Sequence, residues 1–326
     1  AEVSNMPISA PRQRLSALDA LRGLALIGMF IYHLTWDLGY FRLVSPDLPF
    51  SPVMMALGHL VAASFLALSG ASLALSWQSG FNLKNFTRRF VTIVIAASAI
   101  TALTAWQFPD AVIFYGILHC IAIASLVCLA LYRAPLWSVF TFAALFLTLP
   151  LMIASPQFDE PQWWWLGLGT RDPPSLDWRP FMPWTGFALI GFGMMHYWLS
   201  AGLPQWLINW RETNAASRLL VLGGRNSLLV YLAHQPIFIV LVFMAAQLMH
   251  APAATLVRQD PFLSSCTQQC TVSGGNETQC RVVCSCIGEN IRKKPPMWER
   301  LQHNDLSPAD KGEIDSYTKQ CLKVQP

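Results

Sequence analysis

Seven apolar stretches of near membrane-spanning length constrain this chain more than any other feature. An α-helix needs about 20 residues to cross the hydrocarbon core of a bilayer. The composition agrees, because only 12% of the residues are charged and 54% are apolar, whereas a soluble domain has roughly 25% charged residues. The sequence therefore predicts an all-α, polytopic membrane helix bundle of about seven spans, at residues 17–39, 52–77, 90–107, 111–132, 136–155, 184–200 and 226–249.

The loops between these spans differ in their content of basic residues. Loops that are rich in Lys and Arg stay on the cytoplasmic side of a membrane. The richer side has Arg12, Arg14, Lys84, Arg88, Arg89, Arg133, Arg211 and Arg218, and the other side has Arg42, Arg171 and Arg179. We therefore expect a cell (inner) membrane protein with a cytoplasmic N-terminus and, after seven crossings, an extracytoplasmic C-terminal tail.

Cysteine usage divides the chain into a membrane domain at 1–255 and a Cys-rich tail at 256–326. Six of the eight cysteines lie in the tail, where two Cys-x3-Cys pairs flank the turn-forming segment SGGNE. Cysteines four residues apart share one helix face, so the pattern predicts a helical hairpin joined by disulfides. The predicted pairs are Cys266–Cys284, Cys270–Cys280 and Cys286–Cys321. Zinc binding remains the alternative, although we predict no metal. Asn276 begins a glycosylation sequon that matters only in a secretory-pathway host.

Ionisable residues within the spans are candidate functional residues, because charge is costly in a membrane. Arg22 and His33 in span one are eleven residues apart. They therefore share a helix face at a separation of about 16 Å along the axis. Asp37 lies one turn beyond His33 and can orient its imidazole, and Asp19 can pair with Arg22. The simpler alternative is that Arg22 anchors the helix at the interface and His33 makes a buried hydrogen bond.

Two further histidines lie at a depth similar to that of His33. His119, in the segment YGILHC, is in span four, and His59 is in span two. These three imidazoles can share one cavity, where His119 would assist His33. The alternative for each is an ordinary interhelical hydrogen bond.

The segment 212–225 is too short to span and is predicted to lie at the cytoplasmic interface, ending at its two glycines. The following motif, LGGRNSLLVYLAHQP, contains Arg225, Asn226 and His234. Asn226 can cap the last span, and an arginine beside helix N-terminal amides suits a phosphate group. Arg225 can equally be another interfacial anchor.

The predicted external loop at 157–184 contains five Trp and four acidic residues. Tryptophan at this level usually belongs to an aromatic belt. Indole rings also stack on sugars while carboxylates accept their hydroxyl or amine hydrogens. Trp164, Asp172 and Asp177 are therefore candidate acceptor-binding residues.

Three motifs in chain order carry a family resemblance. LDALRGLALIGMFIYH resembles the first helix of transmembrane acyltransferases, with Arg22 and His33 at its Arg-x10-His signature. YGILHCIA and GRNSLLVYLAHQP resemble motifs of the bacterial relatives of heparan-α-glucosaminide N-acetyltransferase, and the resemblance covers residues 14–240. It implies that residues 1–255 form an acyltransferase-like domain, which moves an acetyl group from cytoplasmic acetyl-CoA to a glycan or amino sugar across the membrane.

The resemblance also implies roles for the candidates. His33 would be the general base or acyl carrier, and Arg22, Arg225, Asn226 and His234 would bind the CoA donor. The expected partners are the lipid bilayer and the acceptor, with no nucleic acid, and a homo-oligomer remains open. The alternatives are a b-type haem or quinone redox protein, since intramembrane histidines can be axial ligands, and a non-enzymatic transporter or assembly factor.

Overall fold

The computed structural model describes residues 15–78, 80–249, 261–272, 277–302 and 306–322. Backbone contacts divide the chain into two compact units, Ala1–Ala254 and Thr255–Pro326. No strand occurs within the described ranges, which confirms the all-α prediction. The helices of the first unit are α1 Ser16–Tyr40, α2 Pro52–Ser76, α3 Leu83–Gln107, α4 Ile117–Ala130, α5 Leu136–Ile153, α6 Phe181–Ala201, α7 Gln205–Asn209, α8 Ala215–Arg225 and α9 Ser227–Leu248.

Each of the seven predicted spans coincides with a helix. Five described helices are long and apolar enough to cross a membrane, namely α1, α2, α3, α5 and α9. Helix α4 is apolar but has only 14 residues, and α6 has 21 residues without being among those five. The predicted start of span three at residue 90 was wrong. Helix α3 starts at Leu83, where the Asn82 side chain caps it by accepting from the amide of Asn85, so its basic first turns belong to the helix.

Helix α6 lies at the centre of this unit, packed between α2 and α5. A side chain at Gly191 would place its Cβ 1.9 Å from the carbonyl oxygen of Ala67. Glycine therefore lets the backbones of α6 and α2 touch, as is common where membrane helices pack. Leu189, Phe192 and Met195 are fully buried beside this contact, so α6 is enclosed by protein.

Helix α8 is the predicted interfacial segment, and it packs on the start of α1. Its glycines do not end it, because the helix continues to Arg225. Asn226 does not cap α9 with its side chain as expected. Its amide group instead donates to the carbonyl of Leu222 at 2.9 Å. The Leu222 carbonyl, which also accepts from the backbone amide of Asn226, thus receives a second hydrogen bond at the end of α8.

The second unit contains α10 Pro261–Val272, α11 Glu277–Arg292, α12 Pro295–Gln302 and α13 Pro308–Leu322. The prediction that it carries disulfides is confirmed, with bonds at Cys266–Cys284, Cys270–Cys280 and Cys286–Cys321. None of these cysteines is left as a thiolate for zinc. The apolar core is small and consists of Val283, Ile287, Ile291, Met297 and Cys321 with a few flanking side chains. The sequon residue Asn276, like Arg12 and Arg14, lies outside the described residues.

Candidate active site

The polar side chains of the membrane unit gather at two places along α1. Near its start lies an arginine cluster, made of Asp19, Arg22, Arg89 and Arg225. Toward its end lies a histidine cluster, made of His33, Asp37, His234 and Gln235. Arg22 and His33 are about 16 Å apart along the axis of α1, because an α-helix rises 1.5 Å per residue.

Asp19 holds the arginine cluster together. Arg22 Nη1 donates to Asp19 Oδ1 at 2.6 Å, and Arg22 also donates to the hydroxyl of Ser72 on α2. The carboxylate is only 4% exposed and the Arg22 side chain 21%. A carboxylate this buried requires a cationic partner, and Arg22 supplies it from one turn further along α1.

A close contact between helices brings Arg225 to the same carboxylate. A Cβ at Gly224 would lie 1.8 Å from the carbonyl oxygen of Asp19, so α8 and α1 touch where α8 ends. Arg225 Nε then lies 3.5 Å from Asp19 Oδ2, and Arg225 Nη2 lies 3.5 Å from Glu212 Oε1. Two arginines that are 203 residues apart in sequence therefore share one buried acid.

Arg89 is a member of this cluster that sequence reasoning treated only as a topology signal. Its Nη2 donates to the hydroxyl of Ser69 on α2 at 2.8 Å. Ser69 and Ser72 are three residues apart and lie on one face of α2, so they hold Arg89 and Arg22 side by side. The sequence feature that could have identified Arg89 is Asn82, a residue type that often caps helices. A helix that starts after Asn82 contains Arg89, whereas the predicted span began after it.

The histidine cluster brings together α1 and α9. The rings of His33 and His234 lie 4.9 Å apart, centroid to centroid, in an edge-to-face arrangement. His234 is 6% exposed, and its Nδ1 lies 2.5 Å from the backbone oxygen of Tyr231. A carbonyl can only accept, so Nδ1 carries the hydrogen and a neutral His234 has its lone pair on Nε2. That Nε2 is buried with no hydrogen-bond partner among the described residues.

Asp37 lies beside this pair but does not contact His33 as expected. Its Oδ1 accepts from Gln235 Nε2 at 2.8 Å, and no hydrogen bond in the described chain joins it to His33. One turn beyond His33, α1 faces Gln235 on α9, and the carboxylate therefore binds the amide. Asp37 Oδ2 and Gln235 Oε1 are both buried and have no partner within the described ranges.

No described hydrogen bond or ring contact joins His33, His59 and His119 to one another, and their sharing of one cavity stays a prediction. His119 accepts from the amide of Gly116 through Nδ1 at 3.2 Å, and its Nε2 lies 3.2 Å from the hydroxyl of Thr101. Both ring nitrogens are thus satisfied locally. His59 stacks on Trp184 with the centroids 5.7 Å apart. The histidine that contacts His33 is His234, which sequence reasoning assigned to donor binding.

Two charged residues of the loop before α6 contact neighbouring helices. Asp177 Oδ2 accepts from the first amide of α4 at 2.9 Å and lies near Arg179, with Nε and Oδ1 3.6 Å apart. Arg179 stacks over Trp184 at 5.0 Å. The loop is therefore held against α4 by Asp177 and against α6 by Arg179.

The other two acceptor-binding candidates occupy different surroundings. Trp164 donates to the backbone oxygen of Asp159 at 2.7 Å, and its ring packs on Phe114. Asp172 is exposed. The loop is fixed at Asp159, where hydrogen bonds from Thr170 hold the pKa of the carboxyl below its ordinary value. Trp164 therefore contributes to the packing of the loop, whereas Asp172 faces outward.

Residues 14–236 match the family model described as heparan-alpha-glucosaminide N-acetyltransferase, catalytic. The match covers more than half of the chain and includes every member of both clusters. No curated protein and no solved structure matches the chain.

Proposed function

The chain belongs to the heparan-alpha-glucosaminide N-acetyltransferase catalytic family, a family of membrane acetyltransferases, and from this premise we propose that it transfers an acetyl group from acetyl-CoA to a glycan or amino-sugar acceptor. The observation that carries the proposal is the placement of two polar clusters on one face of a spanning helix. A cationic cluster suits the phosphates of the donor, and a pair of imidazoles about 16 Å further along α1 suits the acetyl transfer.

Arg22 and Arg225 would bind the donor by exchanging partners. Each already contacts Asp19, and Arg225 also contacts Glu212. A phosphate offers more negative charge than one shared carboxylate and accepts paired hydrogen bonds from a guanidinium. The pantetheine arm of CoA would then extend along α1 toward His33. The side-chain amide of Asn226 already donates to a carbonyl of α8. Asn226 would therefore lie beside Arg225 without contacting the donor through this amide.

At the histidine cluster, His33 would accept a proton from the acceptor amine or hydroxyl. The nitrogen or oxygen of the acceptor forms a bond to the thioester carbonyl carbon, the carbon–sulfur bond breaks, and the CoA thiolate takes the proton from the imidazolium. Alternatively, His33 could first carry the acetyl group itself. The edge-to-face contact with His234 supports this role, because it fixes the orientation of the His33 ring. His234 would thus serve the transfer step instead of donor binding.

Asp177 and Asp172 are the candidate contacts for the acceptor. Asp177 lies beside Arg179 and accepts from the first amide of α4, and we propose that this part of the loop lines the path of the acceptor to His33. Asp172 is exposed and can accept hydroxyl or amine hydrogens at the entrance. Trp164 is a weaker candidate than the sequence indicated, because its indole nitrogen and ring are engaged within the loop.

The proposed orientation has the arginine cluster on the cytoplasmic side of the inner membrane and the histidine cluster and the tail on the outer side. The basic residues near the starts of α1 and α3 support this orientation, and the tail disulfides are typical of an oxidising compartment. In intact spheroplasts, an impermeant reductant followed by an impermeant maleimide should label the tail cysteines. Labelling only after the membrane is permeabilised would reverse the orientation.

The haem alternative is disfavoured by the geometry of the two imidazoles. Two axial histidines hold a haem between them, so the iron and the porphyrin plane separate their rings. The rings of His33 and His234 are instead in direct contact at 4.9 Å. A Soret band in the purified protein would restore the haem hypothesis.

The decisive experiment is an acetyl-transfer assay on the purified protein in lipid nanodiscs. The protein is incubated with isotopically labelled acetyl-CoA and a panel of amino sugars, neutral sugars and oligosaccharides, and the products are identified by mass spectrometry. We expect label on at least one acceptor and a higher melting temperature with CoA. If no acceptor gains label and CoA does not raise the melting temperature, the proposed function is wrong.

A further inference from the structure

Arg89 is a cation near the start of a candidate spanning helix, and no ion pair balances its charge within the described chain. It lies in the second turn of α3, a helix long and apolar enough to span the membrane. Its guanidinium donates to the neutral hydroxyl of Ser69, and it has no carboxylate partner among the described residues. An arginine within a candidate spanning helix that lacks an acidic partner is a candidate functional residue.

The neighbour of Arg89 is a second arginine, which increases that cost. Ser69 and Ser72 project from one face of α2 and bind Arg89 and Arg22 respectively. Because these two serines are one helical turn apart, the two like charges lie near each other and repel. Asp19 contacts Arg22 and Arg225, but no ion pair joins it to Arg89 within the described ranges. Among the residues that the structure describes, no acidic side chain therefore pairs with Arg89.

We propose that Arg89, together with Arg22, binds a phosphate group of the CoA donor, an inference that rests on the proposed function. Two guanidinium groups held side by side by consecutive turns of α2 offer several hydrogen-bond donors to one phosphate. The two serines fix the positions of the side chains before the donor arrives, so little side-chain freedom is lost on binding. Binding also removes the repulsion between the two arginines.

The chain provides a matched control in the preceding residue. Arg88 is exposed on α3, and Arg88→Ala removes the same charge one residue away. Wild type, Arg88→Ala, Arg89→Ala and Arg89→Lys should be compared in nanodiscs of neutral lipid for binding of CoA, 3′-dephospho-CoA and pantetheine. Arg89→Ala should weaken CoA binding by about 10- to 100-fold, the scale of a lost charge-assisted contact. Arg88→Ala should stay within about 3-fold of wild type, as expected for an exposed charge.

Two further comparisons identify the ligand group. Pantetheine has no phosphate, so wild type and Arg89→Ala should bind it equally. Arg89→Lys keeps the charge without the planar fork and should fall between wild type and alanine. This variant also provides the comparison if Arg89→Ala does not fold, as judged by its melting curve.

The inference and the proposed function fail in different ways. If the wild type binds CoA and neither Arg89 variant changes that affinity, only the inference is overturned. If the wild type binds no CoA, both are overturned. A phospholipid headgroup presents the same phosphate chemistry, so the melting temperature should also be measured in nanodiscs with anionic lipid. An Arg89-dependent stabilisation by anionic lipid, with CoA affinity unchanged, would assign the site to lipid and overturn the CoA assignment.

Discussion

The two polar clusters on α1 differ in what they lack. In the arginine cluster, Asp19 already contacts two cations, and the structure leaves a surplus of hydrogen-bond donors around Arg89. In the histidine cluster, three buried acceptor atoms have no donor in the described chain, on Asp37, His234 and Gln235. One end therefore suits a ligand rich in acceptors, such as a phosphate, and the other suits a ligand that brings N–H or O–H groups.

Because of this difference, we expect the arginine cluster to bind the donor and the histidine cluster to carry out the transfer. Each unsatisfied buried acceptor costs about 1–3 kcal/mol, a cost that an acceptor amine or hydroxyl can relieve when it arrives beside His33. The arginine cluster has no such gap at Asp19, and its ligand has to replace contacts that already exist. Changes at the histidine cluster should therefore act mainly on the rate of transfer, and changes at the arginine cluster mainly on the affinity for the donor.

The largest effect is expected for His33→Gln. Glutamine keeps hydrogen-bonding capacity but cannot accept a proton near neutral pH, so the transfer rate should fall by about 10²–10⁴ while CoA affinity stays near wild type. His59→Gln is the matched control, because His59 lies at similar depth but stacks on Trp184. The measurements are initial transfer rates and CoA titrations on folded samples. A near-wild-type rate for His33→Gln would leave the histidine cluster with a structural role.

Substitutions of the two arginines that contact Asp19 should lower the affinity for CoA and leave the transfer rate at saturation nearly unchanged. Arg22→Ala and Arg225→Ala should each weaken CoA binding by about 10- to 100-fold, which corresponds to about 1.5–3 kcal/mol for a charge-assisted hydrogen bond. The KM for acetyl-CoA should rise while kcat at saturation changes little. Steady-state kinetics over a range of acetyl-CoA concentrations separates the two parameters.

The control for the arginine variants is Arg42→Ala, which removes a charge from the loop after α1, at the opposite end of that helix from the arginine cluster. If the Arg22 and Arg225 variants lower kcat and leave KM unchanged, the division between binding and chemistry is wrong. The same variants can also lose stability, because each removes a partner of the buried Asp19. Melting curves should therefore accompany the kinetics.

A smaller effect is expected for Asp37→Asn at the histidine cluster. The asparagine oxygen can still accept from Gln235, so the fold should persist. A hydrogen bond to a neutral acceptor is about 1 kcal/mol weaker than one to a carboxylate, and the transfer rate should fall by roughly 5-fold. CoA affinity should not change. A loss as large as that of His33→Gln would mean that the charge of Asp37, and not its hydrogen bond, supports the transfer.

The sequence predicts the helices well because lipid imposes a simple rule on them. Every backbone polar group in the bilayer has to be satisfied within the helix, and hydropathy therefore locates the seven helices, of which five are long and apolar enough to span. The boundaries are less predictable. The start of α3 depends on the cap at Asn82, and α4 begins at Ile117 because Asp177, 60 residues later, accepts from its first amide.

The partners of the site residues are harder to predict, since they depend on contacts between distant helices. Helical periodicity places Arg22, His33 and Asp37 on one face of α1, but it does not reveal what that face meets. The contact of His33 with His234 and the bond from Gln235 to Asp37 both require knowing that α9 packs on α1. Likewise, only the touching backbones at Gly224 bring Arg225 to Asp19.

The smallest predicted effect is an increase in CoA affinity, caused by a substitution beside the arginine cluster. Glu212 lies 3.5 Å from Arg225, and both side chains are partly exposed at 29% and 40%. If Arg225 binds a phosphate, this carboxylate competes for the same guanidinium and repels the ligand. Glu212→Gln should therefore tighten CoA binding. Exposed ion pairs contribute about 0.2–1 kcal/mol, so the gain should not exceed about 5-fold.

Salt provides a second criterion, because interactions between partly exposed charges are screened. The gain in CoA affinity of Glu212→Gln should shrink between low and physiological ionic strength. Asp172→Asn is the matched control, since it removes an exposed carboxylate from the loop near the other cluster and should leave CoA affinity unchanged. Weaker CoA binding in Glu212→Gln would instead mean that Glu212 positions Arg225 for the donor, so that the contacts of the arginine cluster are preserved and not exchanged when CoA binds.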